Sequence, residues 1–583
     1  MNVRNLARNG CLAAATVLEH LGDDPAVLAL QVSRRLPASL VRPLAAAASS
    51  APGQLLPALG ALVQGRNDDV KDRLSQTVDS GIGARAKVRL ADVATAAALP
   101  EIADKLLSAA PETTRGWAGA QARLRWYRGD MSGAVEVLGR GRTTVGERRQ
   151  RTRLASELGV FDGWTPSLPP VQEYVPRAQS VLHLLTNSLP YTGSGYAQRS
   201  HSLLKAQSDS GWNVHAATRI GYPVQIGRLG AADTDLIDGV TYHRLLPARL
   251  PKGMAARLQL QTEELLKLAL EVRPAVLHTT THFVNGLVVR AVAESLGIPW
   301  IYEVRGQLAD TWASTRGDEA KLSERYRKFG VREADVMGSA GTVATLGEAM
   351  RAGIVEAGVA VEQTLLLPNA VGEGFLQEPA TPSAARAQLG LPAEGLFIGT
   401  VSSLVDYEGL DDLLHAFALL APRYPALRCL IVGDGVAGPG LKRLTVDLGL
   451  QDRTIFTGRV PREQAHLYHQ ALDIFVVPRK DFPVTRMVTP LKPVEALASG
   501  RPVVFSNLPA LHEVVRDGMD GLSVPAGDAG SLAEMLGSLV IDGPRCSALG
   551  AAGRRHVLDT RTWEALSTAT AELYRRISRY DGA

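Results

Sequence analysis

The chain has 583 residues, 45% hydrophobic and 21% charged, the balance of a folded protein with several domains. A net charge of +4 over that length gives no electrostatic reason to expect nucleic acid as a partner. Cys11, Cys429 and Cys546 stand too far apart for a disulfide framework or a clustered zinc motif and fit a reducing compartment, and no run approaches the ~20 apolar residues that cross a bilayer. In chain order, Arg4 and Arg8 precede a short apolar run that Glu19 and His20 close. That pattern predicts an amphipathic first helix, with a signal peptide as the other reading. No Phe, Trp or Tyr occurs before Trp117, and Ala, Leu and Arg recur at helical spacing. Turns at Leu36-Pro37, Gly65-Arg66-Asn67-Asp68, Leu99-Pro100 and Gly129-Asp130 are about 30 residues apart, the spacing of tetratricopeptide-like helical hairpins. The signature residues of that repeat are mostly missing, so an irregular helical domain stands beside the solenoid reading. Residues 1–162 are thus expected to be α-helical, either docking a partner or membrane surface or packing on the rest of the chain.

Four prolines mark 163–178 as a linker. Beyond it, strands are expected at 181–186, 214–218, 275–278 and 299–304, with helices at 196–210 and 286–296. A second block follows, with strands at 397–401, 427–432, 454–456, 474–477 and 502–505. Its helices fall at 410–420, 441–448, 462–471 and 491–498. The alternation predicts an α/β fold: two doubly wound Rossmann-like domains, 179–370 and 371–560, whose ligands bind beyond the C-terminal ends of strands. Trp563, Leu566, Leu573, Tyr574 and Ile577 then mark a helix within 561–583 that packs back across the lobes.

Five motifs carry chemistry. Gly433-Asp434-Gly435-Val436-Ala437-Gly438 matches G-x-G-x-x-G after a strand. The next strand ends Phe456-Thr457-Gly458-Arg459 without the acid that holds a dinucleotide ribose, which argues against hydride transfer. Gly193-Ser194-Gly195 follows a strand and opens a helix, where small residues let an anion approach backbone N–H groups. Asp233-Thr234-Asp235 has the form of a metal clamp but lies among turn residues, so a polar surface turn is expected and no metal site. Arg479, Lys480, Arg486 and Lys492 gather four cations between a strand and a helix, a composition suited to a diphosphate. Glu495 sits inside the apolar run 493–498, and a carboxylate there needs partners.

Several blocks in order resemble the family 4 glycosyltransferases, which have the two-domain GT-B fold. They are Pro190-Tyr191-Thr192-Gly193-Ser194-Gly195-Tyr196, residues 278–286, and Tyr302-Glu303-Val304-Arg305-Gly306. Leu367-Pro368-Asn369-Ala370-Val371 resembles the family's interdomain segment. Tyr407-Glu408-Gly409-Leu410, Val432-Gly433-Asp434-Gly435, Phe456-Thr457-Gly458-Arg459-Val460 and residues 490–504 complete the series. The resemblance implies a nucleotide-diphosphate sugar as donor substrate, no separate cofactor, no metal, and retention of the anomeric configuration. Gly458, Arg459 and Val460 would lie by the base. Glu495 would accept from the ribose hydroxyls, and the backbone N–H groups of Leu491 and Lys492 would face the phosphates. Gly433 and Gly435 belong to the same donor side. Gly193, Ser194 and Gly195 would approach from the other lobe, which takes the acceptor. His282, with His278 as the second choice, would hydrogen-bond the donor sugar.

The chain departs from the family at Met487, where an acid is usual, and at Pro490, where a glycine is common. Ser403 and Glu408 stand where the family has Arg and Lys, so Arg486 and Lys492 are expected to take over that charge. The expected function is hexosyl transfer to a glycan or lipid-linked acceptor in cell-surface polysaccharide or glycolipid synthesis. The expected location is cytoplasmic, with peripheral attachment at the inner face of the membrane left open. The departures leave two other readings: a non-catalytic scaffold or binding protein with a degenerate GT-B cleft, and a sugar phosphorylase or nucleotide-sugar epimerase of the same fold.

Overall fold

The computed structural model describes residues 3–23, 30, 33, 38–140 and 143–578. The chain forms two compact units. The first comprises Met1–Gly193, His215–Trp300 and Leu308–Ser339, and the second Ser194–Val214, Ile301–Gln307 and Ala340–Ala583.

The N-terminal part of the first unit is helical, with helices Val3–Asp23, Ala38–Ser49, Leu55–Val63, Asn67–Val78, Ala84–Ala96, Pro100–Ser108, Trp117–Arg128, Met131–Val137 and Val145–Phe161. Local chemistry sets their ends. Pro100 occupies a first-turn position, the Asp130 side chain accepts from the Gly133 N–H, and Thr144 and Glu147 form a reciprocal capping box. Small apolar side chains such as Ala58, Val70, Leu74, Ala91 and Leu106 fill the core between them. The expected hairpin around Gly129-Asp130 is present, whereas the turn at Leu36-Pro37 includes no described residue. The 163–178 segment has no regular structure, yet it is anchored rather than a free linker. The Val171 N–H donates to the Ser295 carbonyl, the Arg177 N–H to that of Arg273, and the Tyr174 hydroxyl to that of Pro274.

The first sheet has strands β1 (Ser180–Leu185), β2 (Asn213–Thr218), β3 (Thr234–Ile237), β4 (Val240–Arg244), β5 (Val276–Thr280), β6 (Trp300–Val304), β7 (Thr342–Thr345) and β8 (Thr364–Leu366). Their order is β3-β4-β2-β1-β5-β6-β7-β8, with β3 antiparallel to β4. The second has β9 (Leu396–Val401), β10 (Leu427–Val432), β11 (Thr454–Gly458), β12 (Ile474–Val477), β13 (Val503–Ser506) and β14 (Gly521–Val524) in the all-parallel order β11-β10-β9-β12-β13-β14. Continuous apolar runs such as Ile474-Phe475-Val476-Val477 are buried on both faces, as helices covering a parallel sheet require. The expected turn at Asp233–Asp235 is instead the start of β3: Asp235 is drawn into the hairpin by Arg244 of β4.

Candidate functional site

Strand order reverses direction between β9 and β12 in the second sheet, so the loops leaving those two strands flank its switch point, where open α/β sheets bind ligands. The β9 loop carries Glu408 and the β12 loop carries Arg479. Gly409 holds φ +67°, and a Cβ there would overlap the Pro478 carbonyl oxygen, so the two loops touch through backbone. Glu408 is 3% exposed. Its carboxylate accepts two bonds from Arg479, at 3.1 and 3.2 Å, and meets Lys492 Nζ at 2.5 Å. Arg479 also donates to the Val488 carbonyl. Burial raises the Glu408 carboxyl, but Lys492 and Arg479 more than offset this and hold it at about 2. Burial pushes the Lys492 ammonium down to about 8, against the pull of Glu408. Near neutral pH the three groups carry a net single positive charge at the switch point.

Arg486, expected to share this role, does not join the cluster. Its side chain is 56% exposed and its guanidinium is committed to Asp481 on the same loop. The buried cation that accompanies Lys492 is Arg479. Lys480 is also neutralised, by Asp411.

Leu491 is the N-cap of helix Lys492–Ala498, and Glu495 lies one turn beyond Lys492 on that helix, half-buried. The His469 imidazole, fully buried and stacked on Phe475, places Nε2 3.4 Å from the Glu495 carboxylate. That approach is not a hydrogen bond, and the Glu495 carboxylate has no other side-chain partner among the described residues. Arg459 follows β11 and is exposed beside Val460 with no side-chain partner among the described residues. Gly433 and Gly435 are accounted for by packing: a Cβ at either would overlap the Ser402 or Leu404 carbonyl oxygen. The 433–438 turn is therefore shaped first by the approach of the β9 loop.

The first sheet has its own reversal, between β1 and β5. The loop after β1 runs through Tyr191, Thr192 and Gly193 to Ser194, whose hydroxyl accepts from the Ala197 N–H and caps the helix Gly195–Asp209. The loop after β5 carries His282. Asn285 ties the two loops, donating to the Thr186 hydroxyl at 2.9 Å and to the Thr280 carbonyl. The two histidines separate here. His278 lies inside β5, fully buried and stacked on His183 at 4.6 Å, whereas His282 caps helix Phe283–Leu296 at the strand's C-terminal end. Its Nδ1 accepts from the Val284 N–H, so the neutral ring carries its proton on Nε2, as a donor. Burial against Phe283 and Phe329, reinforced by Arg325, pushes its pKa down to about 4. Asp233 and Asp235 are spent on Arg8 and Arg244, and the described residues contain no group of three or more His, Cys, Asp or Glu that could hold a metal ion.

Sequence reasoning did not find the buried cluster Arg199–Glu303–Arg305. Arg199 bonds Glu303 at 2.7 Å and donates to the carbonyls of Leu367 and Pro368 and to Asn369 Oδ1. Asn369 in turn donates to the Thr489 carbonyl, three residues before Lys492. The Leu367-Pro368-Asn369 segment was recognisable as a motif, but its partners lie more than 100 residues away in sequence.

Comparisons with known proteins bear on the family and the fold. "Glycosyl transferase 4-like domain" matches residues 194–370, and "Glycosyl transferases group 1" matches residues 383–556. The chain belongs to the family 4 glycosyltransferases. A GDP-mannose-dependent alpha-(1-6)-phosphatidylinositol monomannoside mannosyltransferase of Mycolicibacterium smegmatis is 31% identical over 210 residues, 36% of this chain and 55% of that protein. A D-inositol 3-phosphate glycosyltransferase of Streptomyces scabiei is 33% identical over 204 residues, 33% of this chain and 44% of that protein. The chain thus spans about half the length of the curated relatives it matches. Sucrose-phosphate synthase from Thermosynechococcus elongatus aligns with TM-score 0.57 at 22% identity, covering 68% of this chain and 98% of that one. HepE of Anabaena, in complex with UDP-glucose, aligns with TM-score 0.53 at 16% identity, covering 68% and 99%. These likenesses establish the GT-B fold. Among the described residues no helix is long and apolar enough to cross a membrane.

Proposed function

We propose that this family member transfers a hexose from a nucleotide-diphosphate donor to a glycan or lipid-linked acceptor, with retention and without a metal. The observation that carries the reading is the buried Arg479–Glu408–Lys492 cluster at the second sheet's switch point, one helical turn from Glu495. Arg479 and Lys492 supply positive charge where a diphosphate leaving group gathers negative charge, so the stabilisation is electrostatic and in place before reaction. Glu495, with His469 behind it, accepts from the ribose hydroxyls, and Arg459 and Val460 lie by the base. His282 donates from Nε2 to a sugar oxygen. The relatives favour two donors, GDP-mannose and UDP-glucose, and the names of the mycobacterial relatives favour a phosphoinositide-linked acceptor.

The test is thermal denaturation with UDP, GDP, UDP-glucose and GDP-mannose. A ligand at 100 times its Kd adds about 2.7 kcal/mol to the folded state. A saturable upward shift with a nucleotide diphosphate, lost in Lys492→Met, is expected. No shift with any of the four overturns the reading. Glu408, an acid at a cation position, favours a second reading, a scaffold with a degenerate donor site. Binding without turnover of either nucleotide sugar would select it.

A further inference from the structure

The helical region has no part in the reading above, yet it touches both loops at the first sheet's switch point. On one side, helix Val3–Asp23 lies on residues 224–233, the segment that leads into the β3–β4 hairpin. Asn9 is 1% exposed, and its amide donates to the Leu229 and Ala231 carbonyls at 2.9 Å each. Arg8 pairs with Asp233 at 2.7 Å, and Glu19 with Arg257. Leu12 is buried with Val224, Ala231 and Leu246, and Tyr191 of the β1 loop packs against this cluster. The hairpin carries the contact onward. Asp235 accepts from the Tyr191 hydroxyl and from Arg244, while Arg244 donates to the Ser188 hydroxyl at 2.6 Å and to the Leu189 carbonyl at 2.8 Å. The stretch 188–192 is thereby held by a hairpin whose Arg244 N–H donates to the carbonyl of Asp233, the residue that Arg8 of the first helix binds.

On the other side, Phe161 ends helix Val145–Phe161 and meets Phe283 edge-on at 5.3 Å, and Phe329 at 6.1 Å. These are the two rings that flank His282. Asp162 pairs with Lys328, Ser132 bonds Glu324, and the Arg325 guanidinium lies over Phe161 and Trp126. The contacts fix the Phe329 helix, Glu324–Ser339, and its Glu333 accepts from the Phe283 N–H at 2.9 Å.

We propose that residues 1–162 are a positioning element of the transferase: helix Val3–Asp23 holds the β1 loop through residues 224–233 and the β3–β4 hairpin they lead into, and Phe161 holds the His282 loop through Phe283 and Phe329. The proposal rests on the transferase reading for its consequence, since it makes the helical region part of the reacting machinery rather than a separate docking module. The donor diphosphate is assigned to other residues, Arg479 and Lys492. Loosening the β1 loop therefore lowers kcat and leaves the KM for the nucleotide sugar nearly unchanged, whereas loosening the His282 loop lowers kcat and also raises that KM.

The full chain is tested as Arg8→Ala/Asn9→Ala and as Phe161→Leu, the second keeping an apolar side chain so that the fold survives. Arg149→Ala, an exposed change on the same helical region, is the control. Hydrogen exchange is followed by mass spectrometry, and turnover of GDP-mannose and UDP-glucose is measured with and without added phosphatidylinositol. In the double variant, amides of 188–195 should exchange at least tenfold faster, those of 396–506 at the wild-type rate, and kcat should fall about tenfold at constant donor KM. In Phe161→Leu the faster exchange should fall on 281–287, and kcat should fall with a rise in donor KM, because His282 is the proposed sugar contact. Unchanged exchange in these segments overturns the proposal, as does faster exchange with full kcat. If the wild-type chain turns over neither sugar, the transferase reading fails and exchange alone decides whether the helical region holds the loops.

Discussion

Glu408 makes the sharpest quantitative demand. Its carboxyl falls from an ordinary 4.5 to about 2 on folding. Each pKa unit corresponds to about 1.4 kcal/mol, so ionised Glu408 contributes roughly 3 kcal/mol to the folded state. Removing one partner of a buried ion pair typically costs about 3–5 kcal/mol, which agrees. Glu408→Gln keeps the volume and removes the charge, leaving Arg479 and Lys492 buried together without a counterion. For a lobe of this size about 2–4 °C of Tm accompany each kcal/mol, so Tm should fall by about 6–12 °C. The pH dependence has a fixed sign. A carboxyl depressed in the folded state stabilises fully above pH 4.5 and loses that contribution as pH falls toward 2. The gap between wild type and Glu408→Gln should therefore be constant from pH 5 to 7 and close on acidification. Lys492→Met placed on Glu408→Gln removes one of the stranded cations and should recover more than half the loss, a coupling that differential scanning calorimetry of the four chains reads as a double-mutant cycle. A Glu408→Gln chain that melts within 1 °C of wild type, or a double variant whose losses merely add, refutes the cluster as described.

Two further outcomes follow from the same geometry. Glu495→Gln should weaken nucleotide-diphosphate binding by about 10- to 100-fold, the worth of a charged hydrogen bond, and shift Tm by less than 2 °C because the side chain is half-buried; isothermal titration with UDP and GDP reads the first and calorimetry the second. His282, with a folded pKa of about 4 against 6.5 ordinarily, binds its proton more readily unfolded, so it stabilises most above pH 6.5 and loses this as pH falls toward 4. His282→Gln should then be destabilised less, relative to wild type, at pH 4.5 than at pH 7.5; a gap that widens on acidification in urea titrations contradicts the buried neutral ring.

Much of the fold was legible because it rests on local signals. The segments 427–432, 474–477 and 410–420 emerged with the observed boundaries, since uninterrupted apolar runs flanked by turn residues admit few readings. The β3–β4 hairpin was not legible. Its four-residue strand Thr234–Ile237 alternates exposed and half-buried residues and starts beside two acids, so it reads as a polar turn until Arg244 is seen to bind Asp235. The cap at His282 was missed for a related reason: a helix that begins Phe283-Val284-Asn285 carries no usual capping residue, and the strand before it hides the register.

The site shows why charge is harder to read than pattern. Along the sequence Glu408 looks like the loss of a cation and Arg479 like one member of a solvated basic loop, 71 residues apart. The reversal between β9 and β12 brings them together, and the sign of the residue then acquires a different meaning. A buried carboxylate requires cations, and one that binds Arg479 through two oxygens and Lys492 through a third contact fixes both side chains in place. On the proposed reading the acid does not empty the diphosphate site. It holds two largely buried cations in a fixed arrangement, and a donor phosphate entering beside Lys492 meets an ammonium whose position is already set and whose charge is only partly answered. Net charge at the switch point, not the type of residue at any one position, is the quantity that binding should follow. An acid in a cation's place is compatible with catalysis provided its two partners come from the β12 loop and from the helix that holds Glu495, as they do here.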